Sequence, residues 1–382
     1  MKRILILLIS VCVTGLCTAR DVTVCIYANT PLKQLQFSVY LGKYKLLDEH
    51  NNTVLQLNQG EDVIIASGKH GITIHQGNKR IGTYQKVNAI GSGVRPICKI
   101  IPEQTQPSIR LYDDHLEIST KGDVLRLLNR IDIEKYVSGV IESEALGASD
   151  EVGFYQVQAI ISRTYAMEHI YNHRKDGYNL CDNVHCQVYR GQNGTAMILQ
   201  STAETAGIVL VDAHKKMITA AFHSNSGGQT VAAEDVWRHP TSYLKSVRDT
   251  FSLGCRNSTW QKEYTVREWL NLLEKHYNYD ISNRKKRAQA LNFPCNERQL
   301  FFAGDIPVKQ MRTDLGLKST FFSVRTEDDK VILDGRGYGH GVGLSQEGAA
   351  RMIKCGFSVE EVLKFYYVGV QLVHLNTILN NE

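Results

Sequence analysis

Apolar and polar positions alternate in short runs over the first quarter of the chain, and then the rhythm lengthens. Val22-Thr-Val-Cys-Ile-Tyr27, Gln36-Phe-Ser-Val-Tyr-Leu41, Val63-Ile-Ile-Ala66 and Ile72-Thr-Ile74 read as strands. Asn51-Asn52, Asn58-Gln-Gly60 and Gln76-Gly-Asn78 between them are turn residues. The pattern predicts a β-rich N-terminal module over residues 20–107, a small sandwich or barrel, with no reactive cluster of its own. Strands at 109–112 and 124–128 follow.

From residue 131 the spacing is helical. Ile133, Tyr136, Val137, Val140 and Ile141 share one stripe and predict a helix over 132–144. Phe154, Val157, Ile161 and Tyr165 predict a second over 150–171, which Asp150 or Ser149 can cap. Helices are also expected at 196–206 and 265–276, and strands at 207–211, 217–222, 321–324, 331–333 and 370–374. The basic stretch 283–289 reads as a solvated turn. Ser345 opens a helix to Lys354 that stops at Gly356. Ser358 with Glu361 forms a capping box for another that stops at Gly369. Helices and antiparallel-looking strands mix without βαβ alternation. The fold class is α+β, a β-rich N-terminal module followed by a mixed helix/strand core with a cleft.

Composition narrows the picture. The 382 residues, 43% of them hydrophobic, are enough for two or three compact units. A net charge of +5 with no Lys/Arg block longer than Arg284-Lys-Lys-Arg287 offers no footprint for nucleic acid. Lys2-Arg3, an apolar run from Ile4 to Val13 and Cys17-Thr-Ala19 read as a secretory leader cut near Ala19, with an uncleaved N-terminal anchor as the alternative. The mature chain is therefore expected to be exported, to the periplasm or cell envelope. No later run is long and apolar enough to span a bilayer. Of nine cysteines, Cys12 and Cys17 fall in the leader, and the remaining seven are too scattered for a disulfide framework.

Candidate chemistry concentrates in residues 131–190 and 335–348. Glu142 and Glu144, two apart on a helix, point to different faces and cannot form a facing pair. Glu144, at the helix end beside Ala145 and Leu146, can face a cleft and be desolvated there. Arg163 is either an ordinary ion-pair member or the holder of a glutamate or an anionic group. His173, Cys181, His185 and Cys186 supply four ligands of the Cys₂His₂ kind. The alternatives are a Cys181–Cys186 disulfide or free thiols. The glycines from Gly335 to Gly348 fit neither a dinucleotide fingerprint nor a P-loop. Gly343-Leu-Ser345 begins a nucleophile elbow, but Glu347 stands where its closing glycine belongs. What remains is a backbone able to approach a ligand closely, as at Ser226-Gly-Gly228. A secreted zinc hydrolase would need a His-Glu-x-x-His helix, which the chain lacks.

Together the motifs resemble the SpoIID/LytB family of bacterial cell-wall proteins. The matching stretches are Tyr136-Val-Ser-Gly-Val-Ile-Glu-Ser-Glu144, Gln158-Ala-Ile-Ile-Ser-Arg-Thr-Tyr-Ala166 and His185-Cys-Gln-Val-Tyr-Arg-Gly191. Further along stand His223-Ser-Asn-Ser-Gly-Gly-Gln-Thr230, Tyr243-Leu-Lys-Ser-Val247 and Gly339-His-Gly-Val-Gly-Leu-Ser-Gln-Glu-Gly-Ala349. The resemblance covers about residues 131–369. It implies a lytic transglycosylase acting on peptidoglycan glycan strands stripped of stem peptides, with Glu144 as the catalytic acid. Arg163, Tyr165, Ser226, Gln229, His340 and Ser345 are the expected sugar-binding residues. No cofactor is required for such chemistry, and a structural zinc at the Cys/His cluster would brace the cleft. A cell-wall amidase is the implied partner, and a non-catalytic strand binder that stimulates such an amidase is the alternative. Ala145 departs from the family's usual methionine, and residues 254–318 read as an insertion without a motif. The expected division is a leader at 1–19, the N-terminal module at 20–107, and a core at 108–253 and 319–382 around that insertion.

Overall fold

The computed structural model describes residues 20–103, 108–191, 194–237 and 240–379. The leader expected at residues 1–19 lies outside them. Strands β1 (Asp21–Ile26), β2 (Gln34–Leu47), β3 (Thr53–Asn58), β4 (Asp62–Gly68), β5 (Gly71–Gln76), β6 (Lys79–Tyr84), β7 (Lys86–Pro102), β8 (Arg110–Asp113), β9 (His115–Lys121) and β10 (Val124–Asp132) open the chain. With β11 (Leu180–Cys181) they form one eleven-stranded sheet in the order β11-β1-β10-β9-β7-β2-β4-β5-β6, with β3 on β2 and β8 on β7. The path has two ends and is not a closed barrel. The sheet also runs on past residue 107, the expected end of the module. β10 returns to pair with β1, Leu128 opposite Cys25 and Leu127 opposite Ile26, because the β1 ladder needs that partner.

α1 (Ile133–Ala145) starts where β10 ends. The Asp132 carboxylate accepts the N–H of Glu134 at 2.9 Å and of Lys135 at 3.4 Å, which caps the helix. All five residues of its expected stripe are buried. α2 (Val152–Glu168) packs against it, with α3 (Ala196–Glu204) completing the layer. Glu151, not Asp150, is the α2 N-cap, and its own N–H is taken by Ser149 Oγ at 3.1 Å. β12 (Ile208–Val211), β13 (Phe222–His223) and α4 (Ala233–Trp237) follow. Only the last residue of the strand expected at 217–222 falls within β13.

Residues 254–318, expected as an insertion, share a second core with the strands that follow them. β14 (Thr259–Thr265), α5 (Val266–Tyr277), α6 (Arg284–Leu291), β15 (Phe301–Phe302), β16 (Ile306–Pro307) and α7 (Val308–Asp314) lead into β17 (Phe322–Glu327) and β18 (Lys330–Arg336). β14, β18 and β17 form one sheet, so residues 254–318 are joined to the strands beyond them. Trp269, Leu273, Phe302, Met311, Phe322 and Leu333 fill the space beneath. α6 occupies the stretch expected to be a turn. Asn283 Oδ1 accepts the N–H of Lys285 and Lys286, and Arg-Lys-Lys-Arg-Ala-Gln-Ala-Leu is rich in strong helix formers. Only Ala290 is buried, so no apolar stripe announced the helix.

β19 (Leu344–Ser345), α8 (Gln346–Lys354), α9 (Val359–Tyr366), β20 (Gln371–His374) and α10 (Leu375–Leu379) close the chain. β13 and β19 pair in parallel, Phe222 with Leu344 and His223 with Ser345. That pairing explains the glycine run. A Cβ on Gly343 would stand 2.1 Å from Ala221 O, and one on Gly337 2.6 Å from Asn225 O, both at positive φ. The glycines let two backbone segments meet, where the sequence pattern suggested a ligand.

Candidate active site

Glu144 sits in the last turn of α1, half-buried. Its Oε1 accepts the N–H of Val188 at 2.8 Å, and the neighbouring Ser143 Oγ accepts that of Arg190 at 2.9 Å. The helix end is thus stitched to residues 188–190. Burial raises the Glu144 pKa, while the Val188 N–H and the Arg190 charge pull it the other way.

Two cavities meet at this carboxyl. One, of about 570 Å³, is lined by Tyr165, His169, Gln187, Phe222, Trp237 and His340. The other, also about 570 Å³, is lined by residues 145–151, Ser224, Asn257, Glu347 and the outer face of α8. Glu144 lines both, so the acid stands between the two halves of a candidate cleft. The first half is aromatic. Trp237 is 37% exposed with its ring 5.5 Å from that of His340, and Tyr165 stacks on His169 at 4.0 Å. Such faces suit sugar rings, whose C–H surfaces pack on aromatics. The second half is polar. There Glu347 accepts from Asn225 Nδ2 at 2.6 Å and from Asn257 N and Nδ2 at 3.2 and 2.7 Å. A larger cavity, about 730 Å³, lies beside Trp260 and Arg336 and shares no residue with the cleft. Its carboxyl, Asp334, is tied to Arg325 and Gln261.

Behind Val188 lies the Cys/His cluster. The ligand atoms of His173, Cys181, His185 and Cys186 are all within 4.8 Å of one another. Cys181 Sγ is 3.4 Å from Cys186 Sγ and 3.8 Å from His185 Nδ1, and Cys186 Sγ is 3.5 Å from His173 Nε2. Around one zinc ion, tetrahedral N and S ligands stand roughly 3.3–3.8 Å apart. His173 Nδ1 faces the Asp176 carboxylate at 3.6 Å, the kind of outer partner that orients a ligating imidazole. Both thiols are free, with the sulfurs well beyond disulfide bonding distance.

Residues 121–211 match the SpoIID family, described as stage II sporulation protein. The central stretch is SpoIID-like. Stage II sporulation protein D of Bacillus subtilis is 28% identical, over 66% of this chain and 78% of that protein. An uncharacterized protein of Brachyspira hyodysenteriae is 25% identical over 88% of this chain and 89% of its own length. The amidase enhancer of Bacillus subtilis is 27% identical over 62% of this chain, which covers 40% of the enhancer. The SpoIID-like stretch contains Glu144 and the whole Cys/His cluster, and ends before Ser226.

Of the expected sugar-binding residues, Tyr165 and His340 line the cleft and four others do not. Arg163 is wholly buried: Nε donates to both Glu134 oxygens, at 2.8 and 3.0 Å, and Nη1 to Ile208 O at 3.0 Å. It clamps α1, α2 and β12 together, and the glutamate it holds is Glu134, not Glu144. Ser226 and Ser345 are fully buried as well. Ser226 Oγ donates to Asp249, and Ser345 Oγ caps α8 by accepting the Gly348 N–H at 3.3 Å. Gln229 turns to the insertion, its Oε1 accepting the Arg298 N–H at 3.1 Å. Small hydroxyls in such tight loops are recruited by backbone N–H groups that need partners. His340 is a neutral wall, its pKa lowered to about 4 by burial, with Nδ1 accepting the Val342 N–H at 3.0 Å.

Sequence reasoning missed Gln187, Trp237 and Glu347. Gln187 is 3% exposed, and its Nε2 lacks a partner in a cleft it helps line. Its signal was its place inside His185-Cys-Gln. Glu347 was visible only as the residue that spoils a nucleophile elbow. Replacing Arg163 with Leu leaves Glu134 without its cation, and stability is expected to fall by roughly 3–5 kcal/mol. A thermal melt checks this; strand affinity measured well below the melt should be unchanged, since Arg163 is outside the cleft.

Proposed function

We propose that this protein is an exported lytic transglycosylase that cleaves peptidoglycan glycan strands stripped of stem peptides, leaving anhydromuramoyl ends. The observation carrying the reading is the position of Glu144, a half-buried carboxyl of raised pKa where two sugar-sized cavities join. Its free oxygen carries the proton, since Oε1 is already engaged by Val188 N–H. Glu144 protonates the glycosidic oxygen as the bond to the anomeric carbon breaks. The C6 hydroxyl oxygen of the same sugar then bonds to that carbon, and its proton returns to the Glu144 carboxylate. No water is consumed and the acid is regenerated, so one carboxyl suffices. A hydrolase would need a second, as nucleophile or base. Glu347 is poorly placed for that role, because Asn225 and Asn257 already occupy both its oxygens.

The cluster geometry fits zinc held by His173, Cys181, His185 and Cys186. The ion would fix residues 181–188, and with them the Val188 N–H that orients Glu144. Zinc would supply no more than this bracing. Purified protein incubated with stripped strands is expected to give anhydro ends by mass spectrometry.

A second reading is favoured by the relative named an amidase enhancer: a strand-binding protein that stimulates a cell-wall amidase. It predicts binding without new ends. The pH profile adds a further check. The acid form of Glu144 is active, so kcat/KM should hold at low pH and fall as pH rises through a value above the ordinary glutamate range. A limb at the ordinary value would contradict the desolvated setting. Stability carries the same sign. The proton's contribution is complete below the unfolded pKa and is lost as pH rises through the raised folded one.

A further inference from the structure

The polar half of the cleft has a basic wall. Glu347, Ala350, Arg351 and Lys354 follow at i, i+3, i+4 and i+7 along α8 and all line the cavity, so one stripe of the helix faces it. Arg256 lines the same cavity, set beside Glu347 by the two hydrogen bonds from its neighbour Asn257. Among the described residues, Arg256, Arg351 and Lys354 form no ion pair. Arg351 Nη1 donates to Leu253 O, which fixes the stem of its guanidinium. Arg256 and Lys354 are exposed. Asp150 and Glu151 stand along the loop before α2, unpaired with these cations, and Glu347 is spoken for by its asparagines. Among the described residues, the aromatic half has no Lys or Arg in its lining.

Among the described lining residues, the cations thus stand on one side of the acid. Resting on the function proposed above, we propose that Arg256, Arg351 and Lys354 form a subsite for a carboxylate-bearing sugar, the muramic acid whose lactyl carboxylate is free. In a strand that still carries its peptides that group is a neutral amide, and the wall gains nothing from it. When the amide is hydrolysed, each disaccharide acquires one negative charge, spaced along the polymer so that a single residue meets the wall. Selectivity for stripped strands then has an electrostatic source in this chain. The reaction that supplies the substrate is hydrolysis of the amide between lactyl group and peptide.

The test uses the full chain carrying Glu144→Gln, so that binding is read without turnover. Two probes are compared: stripped strands with free lactyl carboxylates, and the same strands with those groups converted to methylamides. The carboxylate strands should bind roughly fivefold to tenfold tighter, with the preference shrinking as salt rises. Adding Arg256→Gln and Lys354→Gln, both at exposed positions, should bring the ratio near one while the melting temperature stays put. Equal binding of the two probes, a preference that survives the double change, or no binding of either would overturn the subsite. Catalysis is tested separately, on the unmutated protein. If it makes no anhydro ends while the charge preference persists, the transglycosylase reading fails and the subsite stands.

Discussion

Glu144→Gln should lower formation of anhydro ends by about 10³–10⁴-fold, the upper part of what a positioned general acid contributes. Glutamine keeps the shape and still accepts the Val188 N–H through its carbonyl oxygen, so the end of α1 keeps its stitch to residues 188–190. It has no proton to give the glycosidic oxygen and no carboxylate to take one from the C6 hydroxyl. Strand affinity should survive, because the aromatic half of the cleft is untouched. The melting temperature should hold or rise, since burial of Glu144 costs the folded state whenever the group is charged. Product counting and a binding titration on one preparation check this together. Turnover close to that of the unmutated chain would remove Glu144 from the chemistry.

Zinc removal is expected to have the second-largest effect, and on stability. His173, Cys181, His185 and Cys186 come from the α2–β11 connection, from β11 and from the turn after it, segments that one ion would tie together. Losing such a tie at a cost of roughly 3–5 kcal/mol lowers the melting temperature by about 5 °C in a protein of this size. A chelator should produce that drop and added zinc should reverse it. Any strands cleaved by the metal-free protein should still end in anhydro sugars, more slowly, because the Val188 N–H is then less well held. Metal analysis of the native protein should find one zinc per chain. A melting point insensitive to chelator but lowered by a thiol reductant would instead support the disulfide.

The α+β class was readable because its helices carry their own punctuation. α1 shows its apolar stripe and its Asp132 cap, and α9 shows a complete capping box between Ser358 and Glu361. α6 was unreadable for the converse reason, a helix with one buried residue. Glu144 and the Cys/His set were legible because each is local, a few residues whose spacing carries the chemistry. Arg163 was legible only as an alternative. That it holds Glu134 depends on how α1, α2 and β12 pack, which spacing along one helix does not contain. The glycine run misled because a tight approach between two chain segments asks for the same residues as a tight approach to a ligand. Trp237 is far in sequence from Glu347 and Lys354 on α8, and only the fold, with its β13–β19 pairing, brings them to one site.

The central claim is that Glu144 directs an attack by the sugar's own hydroxyl and not by water. Cleaving stripped strands with the native protein in ¹⁸O-water, and weighing the new ends, tests it most directly. The expected result is ends lighter by one water than a hydrolysed sugar and carrying no ¹⁸O. Labelled reducing ends would make the protein a hydrolase, and an absence of new ends would leave only a strand binder.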